Sequence, residues 1–325
     1  MATESVLIKE NRSAVKKTPF YKKSKFKTNM FVLALVIIPL LNFLVFWVYV
    51  SFDTIALTFQ RYSNRQGEYL WIGFDRYVEV IRQYVLGLDG HPENFATFWN
   101  SFHAVAINLI ILPLAFLAAY AFYKKIPCEK YFRICFYLPS IISVSVLALC
   151  YRYMFHADFG PLKQLFAHFG YEPLWLGPES EQMWPLIYIF AIWAGLSVNV
   201  IMMNSAMLRI PSDISEYSKL EGVGFWREAV QIVLPLVLPT VGIYIIAVFT
   251  SVFGFVLHPM LIAAQPGIGN KFYTAGWQIF DSVRYGHQDD MALASTLGIV
   301  LTLMVTPVVV LIRFLVNKFT PEVDF

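Results

Sequence analysis

The side chains that usually carry out chemistry are sparse in this sequence and follow no catalytic or metal-binding spacing. The three cysteines (Cys128, Cys135 and Cys150) lack C-x-x-C spacing, and the six histidines form no H-E-x-x-H pair. The chain contains no G-x4-G-K-[ST] phosphate loop, and the stretch 267–270 lacks the third glycine of G-x-G-x-x-G. The sequence therefore predicts no catalytic residue, no metal site, no cofactor bound by this chain and no enzymatic activity.

Neutral polar side chains and aromatic rings lie instead within long apolar stretches, as at Trp193, Asn199, Tyr244, Ser251 and Phe253. Hydroxyl and amide groups beside aromatic rings suit an uncharged, polyhydroxylated ligand such as a sugar. The alternative is that the amides and hydroxyls join helices by hydrogen bonds, while the aromatic rings pack or contact lipid. Either way, these residue types favour binding or packing over catalysis.

The composition is that of an integral membrane protein. Of the 325 residues, 58% are hydrophobic, 17% are aromatic and 14% are charged, and the mean hydropathy is +0.57. Soluble domains carry about 25% charged residues, so this chain has too little polar surface to cover a soluble globule. The net charge of +3 is small and gives no indication of a nucleic-acid partner.

Six apolar segments long enough to cross a bilayer follow a polar tail. A spanning helix requires about 20 apolar residues, and the first segment is too long for a secretory signal and lacks a small-residue cleavage site. The sequence thus predicts an all-α polytopic membrane protein, with a basic tail at 1–29 and a six-helix transmembrane domain at 30–325. The predicted spans are 30–52, 98–123, 132–155, 184–207, 236–257 and 291–316, with a loop at about 208–235.

The distribution of basic residues predicts the orientation of these spans. The tail 1–29 holds eight Lys or Arg residues and the connection 124–133 holds four, whereas 156–183 holds one base and four acids. Cytoplasmic segments carry the excess of Lys and Arg, so the tail and the 124–133 connection are predicted to face the cytoplasm. With six spans, both termini and the 208–235 loop lie on that same side.

Between the fourth and fifth spans, the sequence changes to that of a short water-facing helix. Asp213 and Glu216 have the spacing of a capping box at its start, and Gly222 supplies a stop at its end. One apolar stripe, recurring at every third position, consists of Ile214, Tyr217 and Leu220. By itself, this amphipathic pattern favours a segment that lies on the membrane surface and only connects two spans.

Particular residues of this segment carry a more specific pattern. They fit the spacing E-x5-G-x9-I-x-L-P and are Glu216, Gly222, Ile232, Leu234 and Pro235. The spacing resembles the EAA loop, E-A-A-x3-G-x9-I-x-L-P, of permease subunits in binding-protein-dependent ABC importers. Tyr217 and Ser218 replace the two alanines of that loop, which alters the local packing expected there. The stretch W-I-G-F-D-R-Y at 71–77 is similar to an element of the carbohydrate-type branch, which includes the maltose and glycerol-phosphate permeases.

The resemblance implies a fold, a location and a set of partners. The implied fold is that of a type I ABC importer permease in the bacterial plasma (inner) membrane, with a coupling helix between helices four and five. Implied partners are a cytosolic ABC ATPase dimer that uses ATP and Mg, a second homologous permease subunit, an extracellular solute-binding protein and membrane lipid. The residues implied in coupling to the ATPase are Ile214, Glu216, Tyr217, Leu220, Gly222, Ile232, Leu234 and Pro235.

The same resemblance implies a substrate pathway around the fourth and fifth spans, through which a sugar or oligosaccharide reaches the cytoplasm. The residues proposed to line it are Trp193, Gly195, Asn199, Tyr244, Ser251 and Phe253. The outer segments 53–97 and 258–288 are candidates for docking the binding protein, and the alternative is that they fill the gaps between helix ends. Two alternatives stay open: an ABC permease for a non-sugar solute, and an ATP-independent secondary transporter. The centres of spans one, two, four and five lack the charged residues that usually mark an ion-coupled pathway.

Overall fold

The computed structural model describes residues 24–63, 65–156, 158–170, 182–263 and 271–319. Over these ranges the regular structure is helical apart from one hairpin, in which β1 (Gln60–Ser63) pairs antiparallel with β2 (Glu68–Trp71). In chain order the helices are α1 Ser24–Asn42, α2 Val50–Leu57, α3 Asp75–Val80, α4 Pro92–Asn100, α5 His103–Tyr123, α6 Glu129–Ile141, α7 Val144–Met154, α8 Pro161–His168, α9 Met183–Met207, α10 Ser212–Leu220, α11 Phe225–Glu228, α12 Leu234–Leu236, α13 Leu238–Thr250, α14 Leu257–Ala263, α15 Ala275–Tyr285 and α16 Gln288–Phe319.

Four continuous helical stretches are long and apolar enough to cross a membrane: Thr28–Leu57, Pro92–Tyr123, Met183–Met207 and Gln288–Lys318. Two helix pairs bend sharply at a short break, α6 with α7 by 105° and Phe225–Leu236 with Leu238–Gly254 by 80°. If each pair is one span, the described part of the chain has six. The predicted spans 132–155 and 236–257 fall on the bent pairs, and the other four predicted spans fall on the continuous stretches.

The two bends have local causes in the backbone. Between α6 and α7, Ile142 and Ser143 adopt extended ψ angles of 142° and 131°, which interrupts the helical hydrogen bonds. In the second pair, the break falls at Val237 (φ −97°, ψ 5°), two residues after Pro235 and two before Pro239, and a π-helical turn at Ala229–Val233 lies one turn ahead of it. Proline has no N–H to donate and its ring crowds the preceding turn of a helix, and π-turns of this kind commonly accompany kinks.

Residues 24–56 form a compact unit of their own. A π-helical segment, Phe43–Tyr49, joins α1 to α2, so that the helix is continuous through this unit. Its large apolar side chains from Met30 to Ile55 are exposed. A largely apolar helix of this length is stable in lipid, where its backbone groups are satisfied within the helix.

The remaining unit buries two hydrophobic clusters. The larger one joins α5, α7, α9 and α13 with the segment 210–237, and the smaller one joins α3, α4, α15 and α16. Glycines allow close approach of helices in the larger unit: a Cβ at Gly195 would lie 2.7 Å from Ile111 Cδ1, and one at Gly242 would lie 2.3 Å from Val316 Cγ1. Because lipid removes the hydrophobic drive between helices, such close packing is a main source of their association.

Candidate functional site

The first helix of the segment 208–235, called here the insert, is α10, and the start of α10 differs from the sequence prediction. Pro211 occupies the N-cap position with ψ of 137°, and no side chain caps the helix. The predicted capping box of Asp213 and Glu216 is therefore wrong, because the helix starts ahead of Asp213 at a proline that has no capping side chain. Asp213 instead lies in the first turn, where a carboxylate is stabilised by the helix dipole, and accepts a hydrogen bond from Ser212 Oγ at 3.3 Å.

The end of α10 is set by Gly222, in agreement with the predicted helix stop. Gly222 has φ of +67°, a conformation that costs other residues free energy. Its N–H donates to Lys219 O at 3.1 Å, and Val223 N–H donates to Ser218 O at 2.9 Å. These two bonds make a Schellman motif with glycine at the C′ position, so the chain reverses from α10 towards α11 at one defined residue.

The three residues of the predicted apolar stripe do not share one face of α10. Ile214 is half-buried against the larger cluster, beside Ser218, whose Oγ donates to Ile214 O at 2.8 Å. Tyr217 is 69% exposed and Leu220 is 83% exposed. The helix thus packs onto the molecule through Ile214 and presents Tyr217 and Leu220 outwards, an exposed apolar pair on a helix that is otherwise polar.

The remaining residues of the E-x5-G-x9-I-x-L-P pattern lie where the insert enters the bent fifth span. Ile232 is half-buried within the π-helical turn, and Leu234 packs against the larger cluster. Pro235 is exposed in the short helix α12, directly before the bend. The pattern therefore joins an exposed helix, a glycine turn and a proline-marked bend in one continuous stretch.

A buried ion pair connects the insert to the end of α5. Lys124 Nζ donates to Glu228 Oε2 at 2.7 Å and to Oε1 at 3.0 Å, and Ser215 Oγ lies 3.4 Å from both Lys124 Nζ and Glu228 Oε1. The side chains of Lys124 and Glu228 are 17% and 4% exposed. This pair was not predicted, and the signal for it in the sequence is only an acidic residue, Glu228, in the largely apolar stretch that leads into the fifth span.

A cleft of about 360 Å³ opens beside this ion pair, between α10 and the 124–133 connection. Polar residues line it on both sides, including Lys124, Lys125, Ser212, Ser215, Glu216 and Lys219. Glu216 is exposed at this cleft, and its carboxylate is accessible to a partner. The surface around α10 therefore combines an exposed apolar pair with accessible charges of both signs.

The predicted pathway residues lie on three elements. Trp193, Gly195 and Asn199 lie on α9, Tyr244 lies on α13, and Ser251 and Phe253 lie on the 3-10 turn that follows α13. Asn199 Nδ2 donates to Gly195 O at 2.7 Å, and Ser251 Oγ donates to Val248 O at 2.6 Å. In each case the side chain donates to a backbone carbonyl three or four residues earlier. Trp193 and Phe253 are 43% and 38% exposed.

Three buried polar atoms on the same helices lack a hydrogen-bond partner within the described ranges. They are Ser197 Oγ and Asn204 Oδ1 on α9 and Tyr244 Oη on α13. Ser197 and Asn204 are seven residues apart and so lie on one face of α9. A buried polar atom without a partner is costly, and in native proteins such atoms commonly bind water or a ligand.

The segments on the other side of the spans from the insert pack tightly on one another. Arg76, 2% exposed, donates to Asp289 Oδ1 at 2.5 Å and so ties the region after the hairpin to the start of α16. Tyr84 Oη accepts a hydrogen bond from Gln278 Nε2 at 2.7 Å, and burial raises the pKa of Tyr84 above its ordinary value. Burial likewise raises the pKa of Tyr273, whose Oη donates to Asp281 Oδ2 at 2.8 Å. Part of the predicted docking segment, 264–270, lies outside the described residues.

Comparisons with known proteins agree with this arrangement. Residues 111–324 match the family described as binding-protein-dependent transport system inner membrane component. The chain is 25% identical over 234 residues to the probable starch degradation products transport system permease protein AmyD of Thermoanaerobacterium thermosulfurigenes, covering 69% of this chain and 76% of the relative. It is 22% identical over 320 residues to the diacetylchitobiose uptake system permease protein NgcF of Streptomyces coelicolor, covering 93% and 86%. The fold is similar to that of a chain in a bacterial ABC transporter involved in the import of the acidic polysaccharide alginate, with a TM-score of 0.75, 18% identity and coverage of 91% and 98%.

Proposed function

We propose, because this chain belongs to the family of binding-protein-dependent transport system inner membrane components, that it is a permease subunit of an ATP-driven ABC importer for a sugar or an oligosaccharide. It would pass the sugar from an extracellular binding protein across the bacterial inner membrane to the cytoplasm. The observation that carries the proposal is the insert, in which a glycine-ended helix presents Tyr217 and Leu220 to a partner. The permease fold, shared with the alginate importer chain, supports it.

The insert has the features needed to couple a soluble ATPase to the spans. The exposed side chains of Tyr217 and Leu220 suit an apolar groove, in the helix-in-groove mode of recognition. Glu216 adds a charged anchor for a basic or N–H-rich partner. Ile214 holds α10 to the molecule, and the turn at Gly222 leads into Ile232, Leu234 and Pro235 at the bend. In this proposal, movement of α10 by the ATPase reaches the fifth span through that continuous stretch.

The proposed substrate pathway follows α9 and α13. The relatives AmyD and NgcF are described as permeases for starch degradation products and for diacetylchitobiose, which supports a saccharide here. Ser197 Oγ, Asn204 Oδ1 and Tyr244 Oη, which have no partner among the described residues, supply hydrogen-bonding capacity that sugar hydroxyls or water would satisfy. The residues proposed to line the pathway are Trp193, Gly195, Asn199, Tyr244, Ser251 and Phe253.

The proposed partners are the proteins that would supply ATP hydrolysis, the other half of the pathway and the delivery of the sugar. Because its sequence has no phosphate-binding loop, a cytosolic ATPase dimer would bind and hydrolyse ATP with Mg, and a second homologous permease subunit would complete the pathway. The insert and both termini would face the cytoplasm, while the segments 53–97 and 258–288 would meet the binding protein outside. Membership of a binding-protein-dependent family disfavours the ATP-independent secondary transporter.

Copurification in mild detergent tests the coupling role. The tagged wild-type chain is expected to recover a P-loop ATPase and a second permease subunit. Tyr217→Ser combined with Leu220→Ser is expected to lose the ATPase and keep the second permease subunit. Val283→Ser is a matched control, since Val283 is also exposed, at 63%, but lies on α15 away from the insert. Recovery of the ATPase with the double variant would contradict the coupling role.

Uptake into proteoliposomes tests the substrate class. The complete transporter with its binding protein is expected to accumulate labelled malto- or chito-oligosaccharides when ATP is supplied, and to accumulate neither amino acids nor inorganic anions. ATP-dependent uptake of a non-sugar solute alone would favour the remaining alternative, an ABC permease for a different substrate. Uptake of equal rate without ATP would contradict the importer itself.

A further inference from the structure

The strongest unassigned feature is the contact between the insert and the end of α5. Lys124, at the C-terminal end of α5, forms its ion pair with Glu228 on α11 and lies within 3.4 Å of Ser215 on α10. Glu228 is almost fully buried, with 4% of its side chain exposed. One lysine thus contacts α10 and α11, on either side of the turn at Gly222.

Aromatic contacts next to the ion pair connect the same elements. Tyr120, one turn before Lys124 on α5, donates from its Oη to Phe225 O at 3.1 Å, and its ring lies 4.7 Å from the ring of Phe225. The end of α5 therefore holds the start of α11 through a hydrogen bond, a ring contact and a charge pair. The insert therefore contacts the second span directly, and the chain itself joins the insert to the fifth span.

The energetics of a buried ion pair argue for a role beyond stability. Desolvation of two charges offsets much of their attraction, so such a pair adds little net stability compared with apolar residues of similar size. What the pair does supply is geometry, because Lys124 Nζ donates hydrogen bonds to both carboxylate oxygens of Glu228 and so holds the end of α5 against α11. Apolar side chains at these positions would pack without that directional constraint.

We propose that the Lys124–Glu228 pair is a positioning contact that makes the insert and the end of α5 move together, so that displacement of α10 by the ATPase reaches the second span as well as the fifth. The proposal rests on the proposed function, in which α10 binds an ATPase. It gives Lys124 and Glu228 a role in coupling that they perform by positioning the insert, and neither residue contacts ATP or substrate.

The experiment uses the complete transporter in proteoliposomes and measures three quantities: recovery of the ATPase subunits, ATP hydrolysis, and sugar taken up per ATP hydrolysed. The disrupting variants are Lys124→Met and Glu228→Gln, and Lys124→Arg is the conservative variant that keeps the charge. Glu129→Gln is the matched control, because Glu129 forms an ion pair with Arg133 within α6 alone. The combination of Lys124→Met with Glu228→Leu replaces the pair by apolar side chains and leaves no buried charge.

Positioning predicts that Lys124→Met and Glu228→Gln keep the ATPase subunits and ATP hydrolysis but lower uptake per ATP about fivefold or more. Glu129→Gln is expected to keep the wild-type ratio, and Lys124→Arg, which keeps the charge but adds bulk at a buried site, is expected to keep more of it than Lys124→Met. The apolar double variant is expected to regain thermal stability without regaining uptake per ATP.

Three outcomes would overturn the proposal. The first is wild-type uptake per ATP in Glu228→Gln, and the second is full recovery of that ratio in the apolar double variant, which would make the contact one of packing. The third is failure of the single and double variants alike to assemble. If the wild-type chain itself recovers no ATPase, the proposed function fails. That outcome is distinguishable from the other three because it is seen in the wild-type protein, without any substitution.

Discussion

At the scale of single residues, Gly222 determines where the insert turns, and its replacement gives a local prediction. Alanine at φ of +67° costs about 1 kcal/mol or slightly more. Gly222→Ala is therefore expected to raise the hydrogen-exchange rate of the Val223 amide, which closes the Schellman turn, about fivefold. Hydrogen exchange with mass spectrometry on peptides covering 216–226 measures this effect.

Gly224 provides the control for this substitution, because it is two residues away and has φ of −68° with open space where a methyl group would lie. Gly224→Ala is expected to leave exchange at Val223 near the wild-type rate. Equal exchange rates in the two variants would show that the positive φ of Gly222 is not what fixes the turn.

A substitution at Asn199 tests whether this residue lines the substrate pathway. Its Nδ2 donates to a carbonyl four residues earlier, and Asn108 on α5 makes the same bond, to Ala104 O at 2.9 Å. Leucine at either position removes the same bond to the helix. If Asn199 contacts sugar, Asn199→Leu is expected to raise the half-saturating sugar concentration for uptake about tenfold, the loss of one or two neutral hydrogen bonds. Asn108→Leu should leave it unchanged, and similar effects of both variants would assign Asn199 to packing.

The sequence predicted features that depend on a single residue, and it missed features that depend on the path of the chain or on distant residues. Gly222 was predicted as a helix stop because a positive φ is a property of one residue. The capping box failed because Pro211 took the N-cap, a choice that depended on the path of the preceding chain. The partner of Glu228 lies 104 residues away in sequence, and no local pattern carries that information.

At the scale of elements, contact between α13 and α16 depends on the absence of a side chain at Gly242. A methyl group there would meet Val316 Cγ1 at 2.3 Å, and the β-branched valine cannot easily rotate away. Gly242→Ala is expected to destabilise the protein by about 1–3 kcal/mol through overpacking. The measurement is the thermal midpoint in detergent, followed by tryptophan fluorescence.

Two further variants test whether the loss of stability comes from the contact between position 242 and Val316. Gly298→Ala on α16 places its methyl 3.7 Å from Ile279 Cδ1, an ordinary contact, and is expected to leave the midpoint unchanged or raise it. Combining Gly242→Ala with Val316→Ala removes the clash and should recover most of the lost stability. A midpoint for the combined variant below that of Gly242→Ala alone would contradict the proposed contact.

The elements themselves were predictable to the extent that the bilayer dictates them. A span must be apolar over about 20 residues, which is a property of the sequence, and each predicted span falls on a helix or a bent pair. The bends of 105° and 80° were not predicted. Pro235 and Pro139 mark weak points in a helix, but the angle adopted there depends on which neighbouring helices the two halves pack against.

At the scale of the whole molecule, the Lys124–Glu228 pair requires the 124–133 connection and the insert to lie at the same membrane face. The positive-inside rule predicts that this face is the cytoplasmic one, because the connection holds four Lys or Arg residues. The hairpin of β1 and β2 would then lie outside, tied through Tyr62 N–H and Arg76 to Asp289 at the start of α16. Orientation of one connection thus fixes the orientation of every described segment of the larger unit.

Native Cys128 allows this orientation to be measured. Cys128 is exposed at the start of α6, so a variant that retains it, with Cys135→Ser and Cys150→Ser, has one thiol beside the insert. A membrane-impermeant maleimide is expected to label Cys128 in inside-out vesicles and not in right-side-out vesicles. Glu68→Cys, placed on the exposed strand β2 in a variant without other cysteines, should show the opposite pattern. Labelling of Cys128 from the outside would place the insert there too, out of reach of any cytosolic ATPase, and would contradict both the orientation and the coupling that depends on it.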